Sequence, residues 1–218
     1  MKRITILAGH YGSGKTNIAV NLALKMKRDG FDTVIADLDI VNPYFRTKDS
    51  LKELTEAGIK LISSEYANSN VDIPALPQEM YSVVDDKSRY YIVDLGGDDR
   101  GAFALGRYSD KINEEGNYEM LFVFNKFRPL TPDAESALEV MAEIEGAAKV
   151  KFTGIVNNSN IGAMTDEAAV VSSFPECERL CELSGLPLKF TSVDKKIYEG
   201  IMGDKKTYFP LELQKKIV

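Results

Sequence analysis

Seven short apolar runs recur along the chain, at Ile4 to Ala8, Thr33 to Ala36, Ile59 to Ser63, Tyr90 to Val93, Met120 to Phe124, Phe152 to Val156 and Leu188 to Ser192. Several are apolar throughout rather than alternating, as expected of strands buried on both faces. Between them the period lengthens. From Lys15 to Asp29 a helix is predicted whose stripe carries Ile18, Ala19, Leu22, Ala23 and Met26, with Gly30 as its stop. Thr131-Pro132-Asp133 opens a second helix running through Ala134, Leu138, Met141 and Ile144 to Gly146, and a third is expected between Asp166 and Ser184. Strands alternating with helices predict an α/β protein, a three-layer α/β/α arrangement around a mostly parallel sheet of about seven strands. No repeat, low-complexity tract or linker divides residues 1–218, so one domain is expected.

Composition narrows the classes. No apolar run approaches the roughly 18 residues that a spanning helix needs. Met1-Lys2-Arg3 and the run after it resemble a signal peptide only superficially, because a glycine loop and a charged helix follow with no small-residue cleavage site. Pro210 to Val218 is too short and weakly patterned for a stable membrane anchor. The formal net charge of −6 opposes non-specific attraction to nucleic acid or anionic lipid. Two cysteines in 218 residues make no disulfide scaffold and suit a reducing, cytoplasmic location.

The densest chemistry follows the first apolar run. "GHYGSGKTN" places Gly9, four residues, then Gly14-Lys15-Thr16, which satisfies G-x-x-x-x-G-K-[ST] between a strand and an amphipathic helix. Gly12 and Gly14 allow backbone angles that turn successive N–H groups inward, and the helix starting near Lys15 points its positive end at the same place. Gly9, His10, Tyr11, Gly12, Ser13, Gly14, Lys15, Thr16 and Asn17 are therefore the candidate polyphosphate cradle, with Lys15 reaching the β and γ phosphates and Thr16 ligating Mg²⁺. This predicts a P-loop NTPase fold. Two later runs end in carboxylates, Asp37-Leu38-Asp39 and Asp94-Leu95-Gly96-Gly97, at the sheet edge where ligands of parallel sheets bind. Asp94 suits the Mg²⁺ shell, Gly97 a γ-phosphate contact, and either Asp37 or Asp39 the orientation of water.

The order "GHYGSGKT", "VIADLD", "IVDLGG" and "TGIVNN" resembles the ParA/MinD group of P-loop ATPases, which includes the nitrogenase iron protein and cobyrinate-synthase-type proteins. The resemblance implies ATP and Mg²⁺ as cofactors and a homodimer formed at least transiently. It implies further that Asp39 positions the attacking water and stands near the metal, and that Asp37 lies in the metal-side network. Asp94-Leu95-Gly96-Gly97 matches the switch that senses the γ-phosphate, and Asn157 matches the asparagine that reads adenine. Asp194, in "FTSVDKKIYEG", lies where the family packs a loop beside adenine, and it also has the chemistry of a helix cap. Most members carry a lysine where this chain has His10, and that lysine crosses to the partner's nucleotide. Imidazole is shorter and only partly charged at neutral pH. His10 is expected either to face phosphate, with a pKa that rises when ATP binds, or to pack within the loop.

The rival base is guanine. "FNKFR" (Phe124 to Arg128) is the nearest candidate for N-K-x-D, but Arg128 stands where the base-reading carboxylate belongs and only donates. ATP is therefore expected, and Asn125 and Lys126 are expected to end a strand and face solvent. Asn42 to Asp49, with Tyr44, Phe45 and Arg46, and Gly97 to Tyr108, with Arg100 and Arg107, follow the two acidic strand ends where partner contacts are expected. Cys177 and Cys181, spaced i,i+4, suit core packing or half of a four-thiolate site across a dimer. The expected activity is an ATPase switch for a protein or metallocentre client. The alternatives are ATP-dependent ligation or phosphorylation of a small molecule, as in cobyrinate and dethiobiotin synthases, and a regulator with negligible turnover.

Overall fold

The computed structural model describes residues 2–38, 48–63, 78–97, 99–200 and 207–213, with the side chains of 48–50, 99 and 100 excepted. In chain order its elements are β1 (Ile4–Ala8), α1 (Lys15–Arg28), β2 (Thr33–Leu38), α2 (Lys48–Glu56), β3 (Lys60–Ser63), α3 (Ser82–Asp85), β4 (Tyr90–Leu95), α4 (Asp99–Gly106), α5 (Ser109–Glu115), β5 (Tyr118–Phe124), α6 (Ala134–Ala148), β6 (Gly154–Asn157), α7 (Glu167–Val171), α8 (Phe174–Ser184), β7 (Leu188–Asp194), α9 (Lys195–Gly200) and β8 (Tyr208–Leu211). The strands form one sheet in the order β3-β2-β4-β1-β5-β6-β7-β8, and every pairing is parallel. All seven expected strands are present. The eighth is a short edge strand whose Pro210 weakened its signal in the sequence.

Side chains alternate across the sheet and build two cores. Ile4, Ile6 and Ala8 of β1, Tyr91, Val93 and Leu95 of β4 and Met120, Phe122 and Phe124 of β5 pack with α4, α6 and α8. Leu7, Ile35, Ile92, Leu121, Val123 and Val156 pack on the other face with Ile18, Ala19, Ala23 and Met26 of α1 and Leu54 of α2. The stripe read from the sequence is thus the buried face of α1, with Leu22 only partly buried against the same core. Asp133 caps α6 by accepting from Ser136 N at 2.8 Å. The third expected helix is broken between Val171 and Phe174, because Pro175 sits in the first turn of α8 and cannot continue an incoming helix. Among the described residues no helix is long and apolar enough to cross a membrane.

The eighth strand is tied to α1 by one side chain. Buried Asn21 accepts from Glu212 N at 2.9 Å through Oδ1, and its Nδ2 donates to Glu212 O at 3.1 Å and Asn17 O at 2.8 Å. A leucine of similar size leaves those backbone groups without side-chain partners. We expect Asn21→Leu to destabilise the fold by about 1–3 kcal/mol, as a lower urea midpoint with unchanged m-value. A midpoint equal to wild type would show that Asn21 does not anchor β8.

Candidate functional site

The loop from Gly9 to Thr16 leaves the central strand β1 and enters α1 at the carboxyl edge of the sheet. Gly12 and Gly14 have φ of +74° and +93°, backbone that side-chain-bearing residues rarely adopt. The loop tightens through a hydrogen bond from Ser13 N to His10 O at 3.1 Å. Lys15 is buried, and its Nζ arches back to Gly9 O at 3.0 Å and His10 O at 3.3 Å. Gly14 occupies the N-cap of α1 and no acidic residue lies in the first turn, so the positive end of the helix is not neutralised by its own sequence. Asn17 follows in that turn, its carbonyl accepting from Asn21.

Strand parity brings the carboxylates to this loop. Ile35 and Ile92 face α1, so Asp37 and Asp94, two residues further on, face it too, and the β2–β4 register sets them side by side. Both are buried. Thr16 Oγ1 donates to Asp94 Oδ2 at 2.6 Å, joining the start of α1 to the end of β4. Gly97, just past β4, lies so close to the loop that a Cβ there would come within 2.5 Å of Tyr11 N and 2.6 Å of Tyr11 Cα. Asp39 lies outside the described residues, as do Tyr44, Phe45 and Arg46; of Arg100 only the backbone is described, and Arg107 is exposed on α4's trailing turn.

The far side of the loop is built by β5, β6 and β7. Asn157 ends β6 on the face away from α1; it is fully buried, donating to Ser173 Oγ at 2.8 Å and accepting from Ser159 N at 3.1 Å. Its neighbour Asn158 points the other way. Asn158 Nδ2 donates to Ser13 O at 2.5 Å and its Oδ1 accepts from Ser192 Oγ at 2.7 Å, pinning the loop to β7. The sequence pattern singled out Asn157, although counting alternate residues from Val156 already puts Asn158 on the loop's side. Asn125, expected to face solvent, is fully buried; its Oδ1 accepts from Phe127 N and Asn160 N, which closes the turn after β5. Lys126 does lie near the surface, donating to Ser172 O at 2.7 Å. Asp194 accepts from Lys196 N at 2.8 Å, the geometry of a cap for α9.

That turn also carries Arg128, which the sequence marked only as a missing carboxylate. Its guanidinium lies on the loop: a Cβ built on Gly12 would stand 3.3 Å from Cζ, 3.4 Å from Nε and 3.5 Å from one terminal nitrogen. Buried polar atoms here without a hydrogen-bond partner among the described residues include His10 Nδ1, Ser13 Oγ and Arg128 Nε. Such atoms are costly unless a ligand or water satisfies them. Burial lowers the His10 pKa, and the charges of Lys15 and Arg128 lower it further. The left-handed glycines, the helix end, two cations and a carboxylate–hydroxyl pair together suit an anion that carries a divalent metal. Cys177 and Cys181 lie elsewhere, packed with the α6–α8 core, where burial pushes both thiols up.

Comparison with known proteins bears on the fold and the family. A signal recognition particle protein from Mycobacterium leprae is 26% identical over 204 residues, covering 89% of this chain but 35% of that protein. Chloroplast FtsY from Physcomitrella patens superposes with a TM-score of 0.57 at 17% identity over 88% of this chain and 58% of that one. Cell division protein FtsY from Thermotoga maritima gives 0.55 at 20% identity, over 88% and 62%. The 54 kDa signal recognition particle protein from Aeropyrum pernix, in complex with GDP, gives 0.55 at 18%, over 87% and 41%. The chain therefore spans about a third of the curated relative and no more than 62% of these three solved chains; at these identities the structural likeness establishes the P-loop fold alone. The sequence model of the CobQ/CobB/MinD/ParA nucleotide binding domain matches residues 4–169, from β1 into α7, and includes the glycine loop and both acidic strand ends. The chain belongs to the CobQ/CobB/MinD/ParA nucleotide-binding domain family.

Proposed function

We propose that the protein is a Mg²⁺-dependent ATPase that acts as a nucleotide-driven switch on a protein or metallocentre client. The observation that carries this reading is the 2.6 Å contact between Thr16 and Asp94, which sets a hydroxyl and a carboxylate beside a left-handed glycine loop. Lys15 holds the β and γ phosphates by exchanging its two loop carbonyls for phosphate oxygens. Thr16 and Asp94 hold the metal, Asp37 supports them from the adjacent strand, and Asp39 orients the attacking water. Mg²⁺ supplies neutralisation of charge on the phosphates. Gly97, seated on Tyr11, carries the state of the phosphates into α4, whose exposed Phe103 offers a surface to the client.

Adenine is favoured because the sequence after β5 has Arg128, a donor only, where N-K-x-D would have its guanine-reading carboxylate. The second reading is a guanine nucleotide, favoured by the likeness to a signal recognition particle protein solved with GDP. Calorimetric titration with Mg·ATP and Mg·GTP separates them: tighter binding of ATP is expected, and a preference for GTP would transfer the site to guanine.

Lys15→Ala should abolish tight Mg·ATP binding, since it removes the buried cation of the loop; equal affinity would take the loop out of the account. Asp39→Asn should retain nucleotide while single-turnover hydrolysis falls by roughly a hundredfold or more. Unchanged turnover would shift the role to Asp37. His10 gives a pH test. Its folded pKa lies below the ordinary 6.5, so as pH falls past that value the unfolded chain takes up a proton that the folded chain does not. Its contribution to stability is therefore complete above that value and is lost towards the lowered folded pKa. The urea midpoint should fall between about pH 7.5 and about pH 5.5, and less so in His10→Gln. An equal drop in both proteins would exclude His10 as the group responsible.

A further inference from the structure

We propose that Arg128 is a phosphate-binding residue, whose guanidinium donates to the polyphosphate of the nucleotide held by Gly9 to Thr16 and supplies, within one chain, a cation that position 10 lacks. The inference rests on the nucleotide reading above and adds a contact that the glycine-loop motif does not contain.

Arg3, Arg89 and Arg179 each pair with a carboxylate, whereas Arg128 makes no ion pair with one among the described residues. Its Nε is nonetheless buried and without a hydrogen-bond partner among them. A desolvated guanidinium nitrogen is expensive to leave so, and an anion is the group that satisfies it best. The side chain is also aimed. Arg128 N donates to Asn125 O at 3.1 Å, Thr131 N donates to Arg128 O at 3.0 Å, and Thr131 Oγ1 donates to Asn125 O at 2.9 Å. With the Asn125 side chain holding Phe127 N, the turn is fixed on both sides of the arginine. It faces the middle of the loop, against Gly12, where only a hydrogen atom separates its guanidinium plane from the main chain. The fall in the His10 pKa that Arg128 contributes to places its charge at the same loop. A planar fork of donors beside the left-handed glycine loop and the start of α1 matches phosphate oxygens.

A guanidinium can instead stack on a base, and the test separates the two uses. Wild type, Arg128→Gln, Arg128→Lys and Lys15→Ala are titrated with Mg·ATP and with inorganic tripolyphosphate plus Mg²⁺, after thermal melting establishes that each variant is folded. Arg128→Gln should weaken both ligands by roughly tenfold to a hundredfold, with lysine recovering part of the loss for each. Loss confined to ATP, with tripolyphosphate binding unchanged in both Arg128 variants, would make the residue a base contact and overturn the proposal. Wild-type affinity for ATP in both variants would overturn it as well. If Lys15→Ala binds both ligands like wild type, the nucleotide reading itself fails and this proposal falls with it; loss in Lys15→Ala with none in the Arg128 variants defeats the Arg128 assignment alone.

Discussion

Because side chains alternate along a strand, Asp94 can face α1 only while Val93 and Leu95 face the opposite layer. The same parity on β2 puts Asp37 beside it while Ala36 and Leu38 enter the α4–α6 core. A slip of one residue on either strand would bury a carboxylate among aliphatic side chains and turn a leucine toward Thr16. Site and core are thus specified by one register. The Thr16–Asp94 bond joins the result to the glycine loop, since it forms only when α1, β1 and β4 hold their relative positions.

The charge pattern obeys a second constraint. Lys15 is buried with two loop carbonyls accepting from it, the His10 pKa is lowered by burial and by two neighbouring cations, and no acidic residue lies in the first turn of α1. The carboxylates sit on the neighbouring strands, and Asp94 is joined to the start of α1 through Thr16. A cationic loop next to a carboxylate pair has the chemistry suited to an anion that carries a metal.

Most of this was legible because it depends on local pattern. Apolar runs marked seven strands, the stripe of α1 was read from helical period, and glycine spacing located the left-handed turns. What escaped depended on tertiary partners. Tyr208 to Leu211 is a strand only because β7 offers it an edge and Asn21 holds Glu212. Asn125 is polar and yet fully buried, because its amide oxygen closes an Asx turn with Phe127 N and also accepts from the distant Asn160 N. Asn158 was missed beside Asn157 for want of one parity count, and Arg128 because its fold-back onto Gly12 has no sequence signature. Asp39, read from resemblance as the water-positioning group, lies outside the described residues.

On the proposed reading, the compensating cation stands on the turn after β5 rather than in the glycine loop. Arg128 starts from a turn whose main chain is held by Asn125 and Thr131, and its guanidinium lies against Gly12 of its own chain. That cation is supplied within one protomer. Tyr11 is suited to couple the loop to residue 97: it is 55% exposed, belongs to the loop, and its backbone bears directly on Gly97. A shift of the loop on filling must move Gly97 or be resisted by it, because no side chain at residue 97 lies between them to absorb the displacement.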